Sequence, residues 1–106
     1  MVDLNSDIRL ATGTGKVAIG YKDTVRMINK NELKSVILAT KGKKEIVEEI
    51  THVCGIAGVR IIKFDGNSIE LGTVCGKPYS VNSIGIIEEG NSRILDENYL
   101  FKRLGV

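Results

Sequence analysis

The sequence predicts an α/β fold, a three-layer α/β/α sandwich around a four-stranded sheet, with one domain over residues 1–106. Short β-branched runs alternate along the chain with segments of helical spacing. The chain is 42% hydrophobic and contains one proline, and no linker, repeat or low-complexity tract divides it. Because each helix that connects two strands must bury its apolar face on the sheet, helices are expected on both sides.

The first half of the chain predicts two helices and two strands. Residues 4–11 carry apolar side chains at helical spacing, as do residues 23–29, although both stripes are narrow. Residues 17–20 form a short β-branched run that ends in glycine, which is typical of a strand followed by a turn. Residues 35–39 consist of a serine followed by a continuous apolar run, and they predict the second strand.

The second half predicts three helices and two strands. Residues 46–57 give the clearest helix, because their apolar side chains at positions 46, 47, 50, 54 and 57 fall on one stripe. Strands are predicted at 59–64 and 83–87, and weaker helical spacing marks 68–75 and 92–104. The predicted order is therefore αβαβαβαβα.

Composition excludes several classes of protein. No stretch reaches the ~18 apolar residues of a membrane span. Residues 1–7 lack the basic flank and apolar block of an export signal, so we expect a cytoplasmic protein with no membrane partner. Cys54 and Cys75 lie far apart, with no second Cys or His at ligand spacing. They predict two buried core thiols in a reducing compartment, and neither a metal nor a cofactor.

No catalytic arrangement emerges from the sequence. The run GTGK at residues 13–16 resembles a phosphate loop, but it follows a predicted helix and leads into a predicted strand, the reverse of what such loops need. A glycine that ends a helix explains it better. His52, the only histidine, is about 200° around its helix from Ile50 and is expected to be exposed. Since no nucleophile stands in a triad pattern, the chain is interpreted as a protein that is not an enzyme.

Basic residues are concentrated in the first part of the chain. The formal net charge is only +2. Residues 1–44, however, hold nine Lys and Arg against four Asp and Glu, a net charge of +5, whereas residues 45–106 hold six against nine, a net charge of −3. This asymmetry favours a local anion-binding face.

Lysines stand at the predicted starts of two helices, where acidic residues are expected. A helix N-terminus carries about half a positive charge, so lysines there are locally unfavourable. Free backbone N–H groups beside ammonium groups nevertheless make a good seat for phosphate oxygens. Solvated loop lysines are the alternative, and it stays open at this point. The candidate residues at these two helix starts are Gly20, Tyr21, Lys22, Lys41, Gly42, Lys43 and Lys44.

A third segment, the loop from Gly76 to Val81, connects the fourth helix to the fourth strand and contains Lys77 and Tyr79. An aromatic ring beside a phosphate-binding face predicts contact with an unstacked RNA base, while a ring that leans on the core is the alternative. Loops that leave strands one and two share an edge only if those strands are parallel. The loop that enters strand four joins them only if that strand is antiparallel, so the binding hypothesis predicts a mixed sheet.

Several short runs are spread in order along nearly the whole chain. They are Thr14 to Val17, Gly20 to Val25, Ser35 to Ala39, Ile69 to Thr73, Gly76 with Lys77 and Tyr79, and Asn91 to Leu95. Together these runs resemble a known family, the archaeal and eukaryotic ribosomal RNA-binding proteins that include L30e and the kink-turn binder L7Ae. The resemblance implies a mixed four-stranded α/β/α sandwich that binds ribosomal RNA, typically at kinked internal loops.

The resemblance also implies individual site residues. The family's glycine and lysine at the second helix fall on Gly20 and Lys22, and its aromatic and aliphatic loop residues on Tyr79 and Val81, which are expected to pack against exposed bases. Lys41 departs from the pattern, because the family has Asn there. Asn donates and accepts hydrogen bonds whereas Lys only donates, which implies altered base reading at this contact.

We therefore expect a large-subunit ribosomal protein whose partners are ribosomal RNA and neighbouring ribosomal proteins, and which is monomeric when free. Two alternatives stay open beside it: a scaffold of another ribonucleoprotein with the same fold, and a protein-interaction module marked by an exposed apolar patch. An enzyme would need a deep pocket with titratable groups. The lysines expected to contact phosphates are Lys22, Lys41, Lys43, Lys44 and Lys77.

Overall fold

The structure is a computed structural model that describes residues 4–90, and over that range helices alternate with strands as predicted. The helix predicted at 92–104 and the family-like run at 91–95 lie outside the described residues. The elements are α1 (Leu4–Thr14), β1 (Lys16–Ile19), α2 (Tyr21–Asn29), β2 (Ser35–Ala39), α3 (Lys44–Ala57), β3 (Arg60–Phe64), α4 (Ser68–Cys75) and β4 (Ser83–Glu88).

The four strands form one mixed sheet in the order β1-β4-β2-β3. Strand β4 runs antiparallel to both of its neighbours, whereas β2 and β3 run parallel. The predicted mixed sheet is confirmed. As a result β1, β2 and β3 all end at the edge where β4 begins, which is termed the carboxyl edge.

Helices cover both faces of the sheet and enclose two cores. One core lies under α2 and α3, and the other under α1 and α4. The side chains of β2 alternate between them, with Val36 and Leu38 in the first core and Ile37 and Ala39 in the second. All of β2 is buried. The three-layer α/β/α sandwich is therefore confirmed.

The glycine-rich run before β1 closes a helix, as the structural interpretation predicts. Gly13 and Thr14 lie in the last turn of α1, and the Gly15 N–H donates to the Ala11 carbonyl at 3.0 Å. A Cβ at Gly15 would lie 2.1 Å from the Glu88 carbonyl oxygen. Glycine is needed here because β4 approaches the backbone so closely. This packing accounts for the glycine without a bound phosphate.

The two cysteines are buried, one in each core, as the sequence predicts. Burial raises the pKa of both the Cys54 and the Cys75 thiol to about 11, so both are protonated at neutral pH. His52 is exposed on α3, also as predicted. Within residues 4–90 no group of three His, Cys, Asp or Glu is placed to hold a metal ion. Over the same range, none of the helices combines the length and the apolarity needed to cross a membrane.

Candidate nucleic-acid interface

Three connections meet at the carboxyl edge and are tied to each other by backbone hydrogen bonds. In the β1–α2 turn, the Gly20 N–H donates to the Ser83 carbonyl at 2.9 Å. At the end of β2, the Ala39 N–H donates to the Asn82 carbonyl at 3.1 Å. Asn82 ends the loop that joins α4 to β4, and Ser83 begins β4. Residues 20–22, 40–44 and 77–80, which belong to these three connections, are together termed the loop face.

Helix α2 begins without a capping side chain. Its N-cap is Gly20, with φ of 98° and ψ of 162°, a conformation that residues with a side chain rarely adopt. A Cβ at Gly20 would meet nothing within 4 Å, so conformation and not crowding calls for glycine. Lys22, in the first turn, is exposed and forms no ion pair with any residue of the described range 4–90. The start of α2 therefore offers open N–H groups beside an unpaired ammonium group.

Tyr21, predicted as an RNA contact, is used inside the protein. Its ring is half-buried against the core under α2 and α3. Its hydroxyl donates a hydrogen bond to the carboxylate of Glu49 on α3. These two contacts hold α2 against α3, so the Tyr21 side chain has a structural role in the packing of the two helices.

Helix α3 also begins without a capping side chain. Its N-cap is Lys43, at φ −62° and ψ 128°, and an ammonium group has no lone pair with which to accept from the helix. Lys43 is exposed and, within residues 4–90, unpaired. The Lys41 ammonium lies 3.3 Å from the Asp65 carboxylate, and that of Lys44 lies 3.9 Å from Glu48. All four of these side chains are exposed, so both ion pairs are weak and both lysines stay available to an anion.

The turn between β2 and α3 is set by close backbone contacts. The Gly42 N–H donates to the Ala39 carbonyl at 3.1 Å, and the Lys41 N–H donates to the Gly66 carbonyl at 2.9 Å. A Cβ at Gly42 would lie 3.2 Å from the same Ala39 oxygen and 3.5 Å from Oδ1 of Asn82. Gly42 therefore contributes the tight shape of this turn.

The α4–β4 loop presents its aromatic ring to solvent. Gly76 ends α4 in the left-handed conformation, with φ of 77°, and the Lys77 N–H donates to the Gly72 carbonyl at 2.9 Å. A Cβ at Gly72 would lie 2.1 Å from the Tyr79 carbonyl oxygen, so the missing side chain lets the loop lie directly on α4. The Tyr79 side chain is 58% exposed. The structure thus favours an available ring over one that packs into the core.

Ile69 is an apolar neighbour of this ring that the sequence analysis missed. It is 69% exposed and lines, with Thr73, Lys77 and Tyr79, a groove of about 260 Å³. The exposure of Ile69 could have been predicted from its angular position on the helix. Ile69 is two positions from the buried Leu71, about 200° around α4, and therefore points away from the core.

The prediction that the Val81 side chain packs against RNA bases is wrong for this structure. Val81 is 1% exposed and belongs to the core under α1 and α4. Its N–H donates to the Ser68 carbonyl at 2.9 Å. The chain turns inward after Tyr79 in order to enter β4, which buries the side chain two positions later. Val81 anchors the loop from below.

Helix α4 also begins at the carboxyl edge, but its N-terminus is closed. The Asn67 side chain accepts from the Glu70 N–H at 2.8 Å, and the Asn67 N–H donates to the Glu70 carboxylate at 3.0 Å. This reciprocal cap satisfies two backbone donors and adds a negative charge at the helix start. Of the three helices that follow strands ending at this edge within residues 4–90, α4 is capped by a side chain, whereas α2 and α3 are not.

Comparison with known proteins agrees with this architecture. Residues 3–96 match the family model described as the ribosomal protein L7Ae/L30e/S12e/Gadd45 family. The large ribosomal subunit protein eL30 of Sulfurisphaera tokodaii is 35% identical over 92 residues, which are 87% of this chain and 87% of the relative. The eL30 protein of Methanococcus vannielii is 37% identical over 97 residues, 92% of each chain.

Similarity to a solved structure concerns the fold alone. A protein with unknown function from Bacillus halodurans C has a TM-score of 0.76 to this chain, covering 92% of this chain and 96% of that one, at 23% sequence identity. The family model covers far more than half of the sequence, and the eL30 relatives exceed 30% identity over almost its full length. On these grounds the chain belongs to the ribosomal protein L7Ae/L30e/S12e/Gadd45 family.

Proposed function

We propose that this chain is a structural constituent of the large ribosomal subunit and binds kinked ribosomal RNA through the loop face. Family membership and the eL30 relatives support the first part. They support a binding role on the ribosome, in the cytoplasm, rather than catalysis. The observation that supports the second part is that three connections joined at one edge carry two uncapped helix N-termini, an exposed tyrosine and several lysines. The lysines are Lys22, Lys41, Lys43, Lys44 and Lys77.

In this proposal the RNA backbone is bound by the first turns of α2 and α3. Their open N–H groups and positive dipole ends attract phosphate oxygens, and lysine ammonium groups add charge-assisted hydrogen bonds. Lys22 and Lys43 contribute most, because within residues 4–90 no carboxylate competes for them. Lys41 exchanges its exposed partner for a phosphate, and as a pure donor it adds attraction with little reading of base identity.

Tyr79 explains why the RNA should be kinked. Stacking of a base on an aromatic ring contributes about 1–3 kcal/mol, but it requires a base that is free of its own stack. A straight RNA duplex keeps its bases stacked and offers a major groove too deep and narrow for side chains to read. A kinked internal loop supplies an unpaired base close to closely spaced phosphates, which matches a ring beside two helix starts.

A gel-shift series with a kink-turn RNA and a straight duplex of equal length, at two ionic strengths, tests the proposal. The protein should bind the kinked RNA more tightly at both. If about three to five phosphates are neutralised, the logarithm of affinity should fall with the logarithm of salt concentration at a slope of about 2 to 4. Equal affinity for the two RNAs, or affinity independent of salt, would contradict it.

A protein-interaction role is the second candidate, and the exposed Ile69 beside Tyr79 favours it. Co-purification of the full chain from its source separates the alternatives. Recovery with large-subunit particles supports the ribosomal role, and recovery with small guide RNAs indicates a scaffold of another ribonucleoprotein. A protein partner retained after ribonuclease treatment, with no RNA recovered, indicates an interaction module.

A further inference from the structure

The start of α2 and the entrance to β4 are joined by a closed cycle of three hydrogen bonds. The Gly20 N–H donates to the Ser83 carbonyl at 2.9 Å. The Ser83 hydroxyl donates to the Thr24 hydroxyl oxygen at 3.2 Å. The Thr24 hydroxyl donates to the Gly20 carbonyl at 2.7 Å and so closes the cycle. The cycle links the first turns of α2 to the start of β4, the strand that the 77–80 segment of the loop face precedes.

The two side chains of this cycle have no access to solvent. Thr24 and Ser83 are both 0% exposed. A buried hydroxyl that loses its partner keeps its desolvation cost, so the paired geometry is strongly favoured. The Thr24 hydroxyl also lies 3.5 Å from the Ala18 carbonyl, but it has one proton and the Gly20 oxygen is much closer.

The cycle holds Gly20, which has no side chain of its own to fix it. The Gly20 carbonyl accepts from the Thr24 hydroxyl and from the Thr24 N–H at 3.0 Å, and its N–H is bound to Ser83. Both peptide groups around this flexible residue are thereby fixed relative to β4. The segment that precedes Ser83 is the loop with the Tyr79 ring.

We propose that Thr24 and Ser83 are positioning residues that fix the separation between the first turn of α2, with Lys22, and the loop that presents Tyr79. This inference rests on the proposed function and names the pair that makes the loop face selective. Neither side chain reaches the surface, so neither touches RNA. A kinked RNA presents a phosphate and an unpaired base at one separation, so it requires the correct spacing of Lys22 and Tyr79. A straight duplex engages the lysines alone and does not require it.

The test compares variants that remove or keep the Thr24 hydroxyl. Thr24→Val removes it with little change of shape, and Thr24→Ser retains it. Ser35→Ala is the matched control, because Ser35 is 1% exposed, donates to the Arg60 carbonyl at 3.2 Å, and lies at the opposite end of the sheet. Affinities for the kink-turn RNA and for the straight duplex are measured at a temperature where thermal unfolding curves show each variant folded.

Thr24→Val should lose about tenfold in affinity for the kinked RNA, the equivalent of about one hydrogen bond, and none for the duplex. Thr24→Ser should restore the wild-type preference, and Ser35→Ala should lower the melting temperature while changing neither affinity. Should Thr24→Val fail to fold, Ser83→Ala replaces it, because it removes one donor and keeps the Thr24 to Gly20 bond.

Unchanged kinked-RNA affinity in Thr24→Val, or equal losses for both RNAs, would overturn the positioning role and leave the proposed function intact. A wild-type protein that shows no preference for kinked RNA would overturn the proposed function itself, and with it this inference. The wild-type measurement thus distinguishes the two failures.

Discussion

Three helices, α2, α3 and α4, follow strands that end at the carboxyl edge, but their N-termini differ. Helix α4 closes its own N-terminus with Asn67 and Glu70, whereas α2 and α3 begin at Gly20 and Lys43 with no side-chain cap. Replacing a capping side chain by alanine costs about 0.5–2 kcal/mol, so the absence of a cap sacrifices stability. The first-turn N–H groups therefore bind a capping side chain in α4, which stabilises the fold. In α2 and α3 the same groups are left open to an anion.

Charge separates the three helices less sharply than capping does. Each has an acidic residue in its first turn that complements the helix dipole, Asp23 in α2, Glu45 in α3 and Glu70 in α4. Lysines lie in addition at the starts of α2 and α3, where they oppose the dipole by a few tenths of a kcal/mol each. Lysines at the two uncapped helix starts, and not at the capped one, are what anion binding at those two requires.

The largest expected effect separates folding from binding. Ile50 is 0% exposed on the buried face of α3. Ile50→Ala should reduce the free energy of unfolding by about 2–5 kcal/mol, since it removes packed atoms and leaves a cavity. Chemical unfolding measures this, with His52→Ala on the exposed side of the same helix as a control that should change stability by less than about 0.5 kcal/mol. RNA affinity should be unchanged while the variant is folded, and a large loss there would show that packing and binding cannot be separated in α3.

At the open start of α2, Lys22→Ala should weaken RNA binding by about 1–3 kcal/mol and lower the salt slope by about one. Its ammonium is exposed and unpaired within residues 4–90, so stability should barely change. Lys30→Ala is the matched control, because Lys30 is an exposed lysine at the other end of α2. Titration at several salt concentrations gives both quantities, and equal losses for the two variants would mean that the end of the helix is irrelevant.

Tyr79→Ala should weaken binding of kinked RNA by about 1–3 kcal/mol through the loss of base stacking. Tyr79→Phe keeps the ring and should retain most of the affinity. An abasic substitution at the contacted RNA position should abolish the difference between wild type and Tyr79→Ala. If it does not, the ring contacts something other than that base.

Local signals explain which parts of the fold the sequence predicts well. Strand β2 is a continuous apolar run, and α4 lies between the Asn67 cap and the left-handed Gly76, so both occupy their predicted positions. Helix α1 instead extends through Thr14, beyond the last apolar position at Ala11, because polar residues with helical backbone leave no apolar pattern. The relative directions of the strands could be predicted, because the binding hypothesis requires three loops at one edge of the sheet. The strand order β1-β4-β2-β3 could not, because it depends on tertiary packing.

The candidate site is predictable only where exposure follows from residue type. Tyr79 and four of the five candidate lysines are exposed, as their chemistry suggests, whereas Lys77 is partly buried. Burial of Val81 and the bond from Tyr21 to Glu49 depend on partners distant in sequence and have no local signal. The same holds for Thr24 and Ser83, which are 59 positions apart.

The capped helix start should behave in the opposite way to the open ones. Asn67→Ala removes the acceptor for the Glu70 N–H and should destabilise the protein by about 1 kcal/mol. RNA affinity should not change, because α4 contributes no open N–H group to the loop face. Asn67→Asp keeps an acceptor at the cap and should preserve stability. Thermal unfolding and gel shifts on the three proteins decide this, and an RNA defect confined to Asn67→Ala would place the start of α4 in the interface.

A substitution at the start of α3 can give this helix the kind of side-chain cap that α4 has. Lys43 already has the extended backbone conformation of an N-cap, so Lys43→Asp supplies an acceptor for the first-turn N–H groups. Stability should rise by about 0.5–1 kcal/mol. RNA affinity should fall, because the carboxylate occupies the N–H groups that a phosphate would bind and repels the negative charge of the phosphate. Lys16→Asp makes the same charge change at the exposed start of β1, on the opposite edge of the sheet, and corrects for net charge. A rise in stability with no greater loss of affinity than Lys16→Asp would mean that the open start of α3 is not an anion site, and the contrast with α4 would then concern folding alone.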